Sequence, residues 1–538
     1  MRDKSVEERR DAVGITSAPE EGISRRLFLG GVGAGIGAAA LAGEADAART
    51  CKSSHTAKTS LPMGAPLRVL PVLAYATAQP QDRSSWRPYG AIHSPSDVVD
   101  ETRRIEAELR AVASAAEFPI EFQPVALVCD EAKVRQAAGT DVDALLVYAS
   151  GGDPNWFSIL AASKAPNVMF IRHKSGPYYL YHEIAHWRFL RRSEDAMVEP
   201  NASLDDIVVD DYAEVLWRLR ALYGLKNARG TKMLAVGSLA AYSAPGQEFG
   251  PKHAQEIWNY SIEIVAYEDF KQRLGRVRSD ASRMRDVEHE MKAFLGRPNV
   301  TLKTERRFVE NSFVALQACR KLLDEKGAFN IAFDRCMGRD IIEMLDTPPC
   351  LLEALINDEG YTSYCHTDLT HTVPGVLLRW IAGKPTFVCN THLPHDGVFT
   401  VAHCAAPMRM NGREHEPTTV LTHYESDYGA ATKVEYRKDQ EVTVVVPNLH
   451  CTRWHGFKGT IIGSPSLPAC RSQMDIRVNG DCARLAREME GFHAQIVYGD
   501  YLREVGYALK KTKAIEWKNY SEDAGLARKP CARGQRPV

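Results

Sequence analysis

A surplus of charge of either sign is absent from this sequence: 67 Lys and Arg face 68 Asp and Glu, leaving a formal net charge of −1 over 538 residues. That balance removes the basic footprint of a nucleic-acid-binding surface and the acidic run of an interaction tail. Internal repeats and low-complexity tracts are missing too, which sets aside solenoids and disordered linkers. Aromatics make up only 8% and the mean hydropathy is −0.29, values of an ordinary soluble protein rather than a disordered or membrane one. The 12 cysteines show no compact disulfide spacing, and a chain this long does not need such a framework. Many of them are expected as small buried hydrophobes.

The N-terminal residues carry an address rather than a fold. Residues 24–30 read SRRLFLG, a Gly- and Ala-rich apolar run extends to Ala42, and Ala45-Asp46-Ala47 follows. A charged start, an apolar middle and a small-residue site describe a signal peptide over residues 1–48. The pair Arg25-Arg26 ahead of Leu27-Phe28-Leu29 makes it a twin-arginine signal, so the export machinery is an expected partner. The location is then periplasmic or extracellular, with an uncleaved membrane anchor as the alternative. The glycines of GGVGAGIGA have no preceding strand and do not meet G-x-G-x-x-G, which excludes a nucleotide loop.

Beyond a polar linker (residues 49–65), periodicity alternates between strand and helix. LRVLPVLAYA, IEFQPVALV, DALLVYAS and NVMFIRHK read as buried strands, with a helix over 96–117 capped by Ser94 or Ser96 and a long amphipathic helix over 204–225. Such βα units predict a doubly wound parallel sheet for residues 66–229. A second α/β unit over 230–384 starts at TKMLAVGSLA and holds the strands SIEIVAY and FNIAF, with helices over 269–295 and 306–325. From Pro385 to the end, short strand-like runs (TFVCN, VFTVAHC, TKVEYR, EVTVVVP, GTIIG) alternate with turn residues, predicting a β-rich C-terminal domain. From Cys482 the pattern returns to helix, around GDYLREVGYALKK.

Nine of the 17 histidines lie between His366 and His455. Imidazoles beside Asp368, Asp396 and Cys404 offer metal ligands and proton carriers. The loop THYESDYGA sets His423, Glu425 and Asp427 at a domain edge, and RWHGFKG joins Arg453 and Trp454 in a combination suited to stacking on a sugar ring.

The order of elements here carries a resemblance. Cys365-His366-Thr367-Asp368 leads into an apolar helix ending in Gly383-Lys384-Pro385, then a strand, TFVCN, then Ala402-His403-Cys404, and near the end GFHAQIVYGDYLREVG. This succession resembles the catalytic core of the L-fucose isomerase and L-arabinose isomerase superfamily, and the layout of two α/β domains followed by a β-rich domain is similar. The resemblance implies a metal-dependent aldose–ketose interconversion through an enediol, in which the ion polarises the sugar oxygens and a carboxylate moves the proton. It also implies a homo-oligomer. Carried onto this chain, the ligand positions fall on His366, Asn390, His403 and His493. Two of these are acidic in the family, and neither His366 nor Asn390 is acidic here.

The expected metal set is therefore His403, His493 and His366, with His366 in place of a carboxylate and Asp368 as proton carrier. Asn390, His395, Arg453 and Trp454 are the expected substrate contacts. The divalent ion is manganese by resemblance, or zinc from the ligand types. A sugar or sugar-derived small molecule is the expected ligand. A lyase, epimerase or hydrolase on the same scaffold and a non-catalytic sugar-binding protein are the alternatives.

A rival motif lies at 181–189, YHEIAHWRF. On a helix, His182 and His186 share a face with Glu183 as base, and Glu214 is placed as a third zinc ligand, the pattern of a zinc hydrolase. The metzincin continuation is absent because Phe189 stands where glycine is needed. In an isomerase-like oligomer, His182, Glu183 and Arg172 are instead candidates for the wall of a sugar site.

Overall fold

The computed structural model describes residues 61–179 and 202–521. The twin-arginine segment, and His182, Glu183 and His186, lie outside the described residues. Among those described, no helix is long and apolar enough to cross a membrane.

The first layer is a wholly parallel sheet. Strands β1 (Leu67–Ala74), β2 (Ile120–Phe122), β3 (Ala126–Val128), β4 (Ala144–Ala149), β5 (Asn167–Ile171) and β6 (Ile207–Val209) run in the order β2-β1-β4-β5-β6, with β3 also on β1. Residues on both faces of β1, β4 and β5 are buried, as continuous apolar runs require when helices cover the sheet on both sides. Helix α1 (Pro95–Ala115) begins at Ser94, whose side chain and that of Asp97 form a reciprocal capping box, with proline at the first position. Helices α2 (Glu131–Ala138) and α3 (Pro154–Ala161) complete the crossovers.

Two expectations need correction here. IEFQPVALV is two strands, because Pro124 removes a ladder donor between them. The helix expected from residue 204 starts only at Tyr212. Before it come a single 3-10 turn (Leu204–Asp206), β6, and Asp210 in the left-handed region (φ 58°), after which Asp211 caps α4 (Tyr212–Ala228). Leu204, Ile207 and Val208 imitate helical spacing, but the Asp210-Asp211 pair is turn and cap chemistry.

The second parallel sheet, β10-β7-β8, is built from β7 (Lys232–Val236), β8 (Ser261–Val265) and β10 (Asn330–Phe333). Around it lie α5 (Ala244–Glu256), α6 (Tyr267–Ser279), α7 (Ala281–Leu295) and α8 (Arg306–Lys326). The long helix expected over 269–295 is two helices, split where Asp280 leaves helical geometry and caps α7. Short helices α9 (Arg339–Leu345) and α10 (Cys350–Asp358) lead to α11 (Leu369–Ala382), every residue of which is buried. A helix apolar all round has to be enclosed, and α11 is packed by α4, α5, β15 (Glu441–Pro447) and β18 (His493–Tyr498).

The C-terminal domain is an antiparallel β-barrel. Strands β15, β18, β11 (Phe387–Thr391), β12 (Val398–His403), β17 (Ser472–Val478) and β16 (Arg453–Gly463) pair in that order, and β16 pairs back with β15 to close the ring. Closure leaves no unpaired edge within the ring. Phe399, Val401, Val444, Phe457 and Ile476 are among its fully buried apolar residues. The helix expected around GDYLREVGYALKK is α13 (Leu502–Thr512); ahead of it come α12 (Cys482–Glu488) and β18, which inserts between β11 and β15, and after it β19 (Glu516–Asn519) adds in parallel to β16. A three-stranded sheet of β9 (Val300–Leu302), β13 (Thr418–Leu421) and β14 (Ala431–Val434) links the middle segment to the barrel segment, because β13 pairs in parallel with β9. The chain is thus mixed α/β, with parallel sheets first and a C-terminal antiparallel barrel.

Arg172 is not a sugar-contacting wall residue. It is fully buried, with Nε 2.6 Å from Glu101 and a nitrogen 2.5 Å from Glu108, so its guanidinium is consumed in tying β5 to α1. Arg172→Met leaves Glu101 as a buried carboxylate without its main partner and is expected to cost about 3–5 kcal/mol, read as a lowered urea midpoint at unchanged m-value.

Candidate functional site

The site is assembled where the C-terminal ends of β7 and β10 meet the start of α11 and the strands β11, β12 and β18. In open α/β sheets this carboxyl end is where ligands bind, because loops rather than side-chain layers occupy it. After β7 the chain turns at Gly237 (φ 98°). A Cβ there would lie 2.6 Å from an Asp334 carboxylate oxygen, so only glycine lets the two loops approach. Asp334, directly after β10, accepts hydrogen bonds from Ser238 Oγ (2.9 Å) and the Tyr267 hydroxyl.

The segment Cys365–Asp368 is stitched to this corner. Thr367 Oγ1 donates to the Ser238 carbonyl (2.7 Å) and accepts from Ala240 N–H (2.9 Å). Asp368 caps α11, accepting from Thr370 N–H at 2.8 Å, and its other oxygen accepts from Tyr242 N–H at 3.1 Å. Its carboxylate is held rigidly but is heavily committed, which suits a ligand better than a proton carrier. His366, half-buried, has Nδ1 3.2 Å from the Asp334 carbonyl oxygen. That contact assigns the ring proton to Nδ1 and leaves Nε2 with a free lone pair.

Three groups of donor atoms lie close enough together to take an ion, each with all its atoms within 4.8 Å of one another: Asp368, His371 and His493; Cys336, Cys365 and His366; and Cys336, His423 and Glu425. His371 sits one turn into α11, fully buried, with neither ring nitrogen hydrogen-bonded and Nδ1 4.0 Å from Asp368. A buried imidazole with two orphaned nitrogens is costly. His493 opens β18, opposite Asn390 of β11, and its ring lies 4.7 Å from that of His371. Over this pair, exposed Tyr242 stacks flat on Phe492 (4.1 Å between centroids) and meets His493 edge-on.

Burial sets the protonation. Desolvation holds His371 down at about 4 and His403 at about 3, and pushes His493 well below its ordinary value, with the neighbouring imidazoles reinforcing each shift for His403 and His493. All three rings are neutral at physiological pH and so available as ligands. Cys336 goes the other way. A hydrogen bond from Cys365 and then one from His423 bring its thiol down to about 3, while Cys365 is raised by the same contact. Cys336 is the more exposed of the two and lies beside His423, whose own value is raised against its burial.

The expected site residues separate into two sets. His366, Asp368, Asn390, His403 and His493 gather in this region, and the charges of His366, His371 and His423 all act on His403. Yet among the described residues no three-donor group includes His403 or joins His366 to His493. His403 Nδ1 accepts from Ala405 N–H at 3.2 Å, which puts the ring proton on Nε2 and occupies both nitrogens. The other expected contacts are committed elsewhere. Trp454 is 2% exposed and stacked on Trp258 (5.7 Å, 4°), so it offers no face to a sugar. Arg453 is paired with Glu490 and Glu516, and exposed His395 with Asp396 in the β11–β12 turn. Glu214 bonds Trp217, Arg218 and Arg503 and is not a free ligand.

No family model matches the chain, and no curated protein matches it. The site therefore stands on its own geometry. Sequence reasoning missed His371 and Cys336. The i, i+3 spacing of Asp368 and His371 on one turn of helix was a readable signal for the first. Nothing local marks Cys336, which reaches the site only through the fold.

Lowered imidazole values make a signed prediction for the metal-free protein. The unfolded chain binds protons at these rings from pH 6.5 downward while the folded chain does not, so stability is full above pH 6.5 and falls as the pH drops towards 4. His371 alone accounts for about 3 kcal/mol of that fall, from 6.5 to about 4. Urea midpoints of chelator-treated wild type and His371→Gln across pH 4–7 check it: the variant is expected to show the shallower slope.

Proposed function

We propose that this chain is a metal-dependent, carbohydrate-directed protein of the L-fucose/L-arabinose isomerase type, acting on a sugar or sugar-derived polyol. The observation that carries the reading is the gathering of Asp368, His371 and His493 beneath the Tyr242–Phe492 ring pair, with Asn390 in register beside His493. Asp368 and His493 belong to the segments on which the resemblance rests, and the mixed α/β layout ending in a barrel is compatible with it. The proposal retains twin-arginine export and a homo-oligomer as parts of the same reading.

A carboxylate with two neutral imidazoles is a donor set for a divalent transition ion such as manganese or zinc, and the orphaned nitrogens of His371 fit one. When bound, such an ion polarises adjacent hydroxyl and carbonyl groups of a polyol. The residues supply the rest. The exposed face of Tyr242 stacks on the apolar face of a sugar ring, and the half-buried Asn390 amide hydrogen-bonds hydroxyls.

A second reading, binding without turnover, is favoured by one observation. The two family acids are replaced, Asp368 is spent on capping, and nearby Glu353 is fully buried with both oxygens unpartnered and its acid form favoured by desolvation. That leaves neither carboxylate free to carry the proton.

Asp368→Asn separates the roles, because asparagine caps helices as well as aspartate does but cannot donate a charged oxygen. Plasma mass spectrometry is expected to show bound metal falling by about one equivalent per chain in Asp368→Asn and His493→Ala with unchanged circular dichroism. Product analysis on an aldose and ketose panel then decides between the readings: interconversion by wild type lost in His493→Ala supports the isomerase reading, and binding without product supports the second. Wild-type metal content in both ligand variants overturns the metal assignment. Tyr242→Ala is expected to weaken sugar affinity by about tenfold, measured by calorimetry, if the ring stack is the sugar platform.

A further inference from the structure

A second constellation beside this site is not used by the proposed chemistry. We propose that Cys336, Cys365, His366 and His423 form a separate centre for zinc, built from three loops that only the folded chain brings together. Cys336 lies in the loop after β10, Cys365 and His366 in the loop ahead of α11, and His423 in the loop between β13 and β14.

The donor atoms of Cys336, Cys365 and His366 lie mutually within 4.8 Å, and those of Cys336, His423 and Glu425 do so as well, so Cys336 is common to both groups. Donors around tetrahedral zinc, at bonds of about 2.0–2.3 Å, are separated by roughly 3.3–3.8 Å. Closing the set means drawing the two groups together about the Cys336 sulfur they share.

The imidazoles are set for the role. His366 Nδ1 is held by the Asp334 carbonyl at 3.2 Å, and His423 Nδ1 by Ser426 Oγ at 3.2 Å, so each ring keeps Nε2 as the ligating atom. This is the outer hydrogen bonding that orients histidine ligands of metals. The His366 anchor is itself buttressed, since the Asp334 side chain is bonded by Ser238 and Tyr267.

Two sulfurs with two ring nitrogens select zinc over manganese, calcium or magnesium, which prefer oxygen. Cys365 and His423 are 3% and 2% exposed, while Cys336 and His366 are half-buried, so the core closes one side of the set. The other thiol pair, Cys404 with Cys470, belongs to no three-donor group among the described residues, and the backbone N–H of Arg471 already contacts Cys404 Sγ at 3.4 Å. It carries no site. Zinc uptake at the first pair forms two zinc–sulfur and two zinc–nitrogen bonds and releases to solvent whatever protons those four donor atoms carry, with no change of oxidation state.

The centre shares no residue with Asp368, His371 and His493, and it does not depend on the chain turning over a sugar. The test uses the full chain, stripped with chelator and reloaded with Co2+ or Zn2+. The cobalt form of the wild type is expected to show the near-ultraviolet thiolate-to-cobalt charge-transfer band, and Asp368→Asn to retain it. Cys336→Ser and His423→Gln are expected to lose about one equivalent of zinc per chain, and Cys336→Ser to lose the band at unchanged circular dichroism. Because Cys365 is deeply buried, its role is read without substitution, from zinc protecting both thiols of the wild type against alkylation. A wild-type cobalt form without the band overturns the proposal. So does non-reducing peptide mapping that finds Cys336 and Cys365 joined as a disulfide.

Discussion

The attachment of Thr367 and Asp368 to the loop after β7 is the constraint on which the rest of this structure depends. Three hydrogen bonds (Thr367 with Ser238 and Ala240, Asp368 with Tyr242) fix where α11 begins relative to the second parallel sheet, and the Asp368 cap on Thr370 N–H starts the helix there. Because α11 is buried along its whole length, fixing its start also fixes its register against α4 and β18, and with it the barrel. Gln495 of β18 reaches back to the His371 carbonyl at 3.0 Å, closing the connection. His366, Asp368 and His371 are thereby placed by one helix cap, and His493 is brought to them by strand pairing. The seam is polar, short-range and charge-assisted, so it is directional in a way that apolar packing is not.

Desolvation then sets the chemistry. Histidines on a solvated loop titrate near neutrality, but His371 and His403, packed into protein, are neutral down to low pH. Neutral imidazoles do not repel a cation or each other, which lets several occupy one corner. The cysteines follow the same rule in reverse. Cys389, walled in by apolar neighbours, has its thiol form favoured and is packing material, whereas Cys336 lies beside Cys365 and His423 and carries charge. The expectation that the cysteines are buried hydrophobes describes Cys389 and Cys319 and fails for Cys336.

Much of the fold was legible because periodicity and caps agree locally. Ser94 with Asp97 marks the start of α1, the apolar runs of β1, β4 and β5 mark a sheet covered on both faces, and turn residues mark the barrel strands. Misreadings occur where two signals compete within a few residues. Apolar spacing outvoted Asp210-Asp211 ahead of α4, and the helical character of α13 hid β18 just before it. Of the candidate site, the Cys365–Asp368 segment and His493 were readable, because each stands in a distinctive local pattern. Arg453 and Trp454 pointed the wrong way: an Arg-Trp-His run reads the same whether Trp454 faces a ligand or, as here, Trp258. Convergence of Cys336 with His366 and His423 is a property of three loops separated by about 30–90 positions, and no local rule reports it.

Adjacent soft and mixed donor sets also constrain when the proposed ions enter. Free paired thiols are oxidised outside the cytoplasm unless something holds them. Zinc bound at Cys336 and Cys365 blocks that reaction, since a metal-bound thiolate does not pair with its neighbour. Under the proposed twin-arginine export, a chain folded beforehand would cross with such a centre already closed, and metal uptake is coupled to folding because the donors come from separate loops. The same coupling serves the Asp368–His371–His493 set, whose three members are at most 9% exposed. On that proposal, thiol pairing, buried imidazoles and passage in the folded state become one physical requirement: the fold would be complete before its side chains meet an oxidising environment.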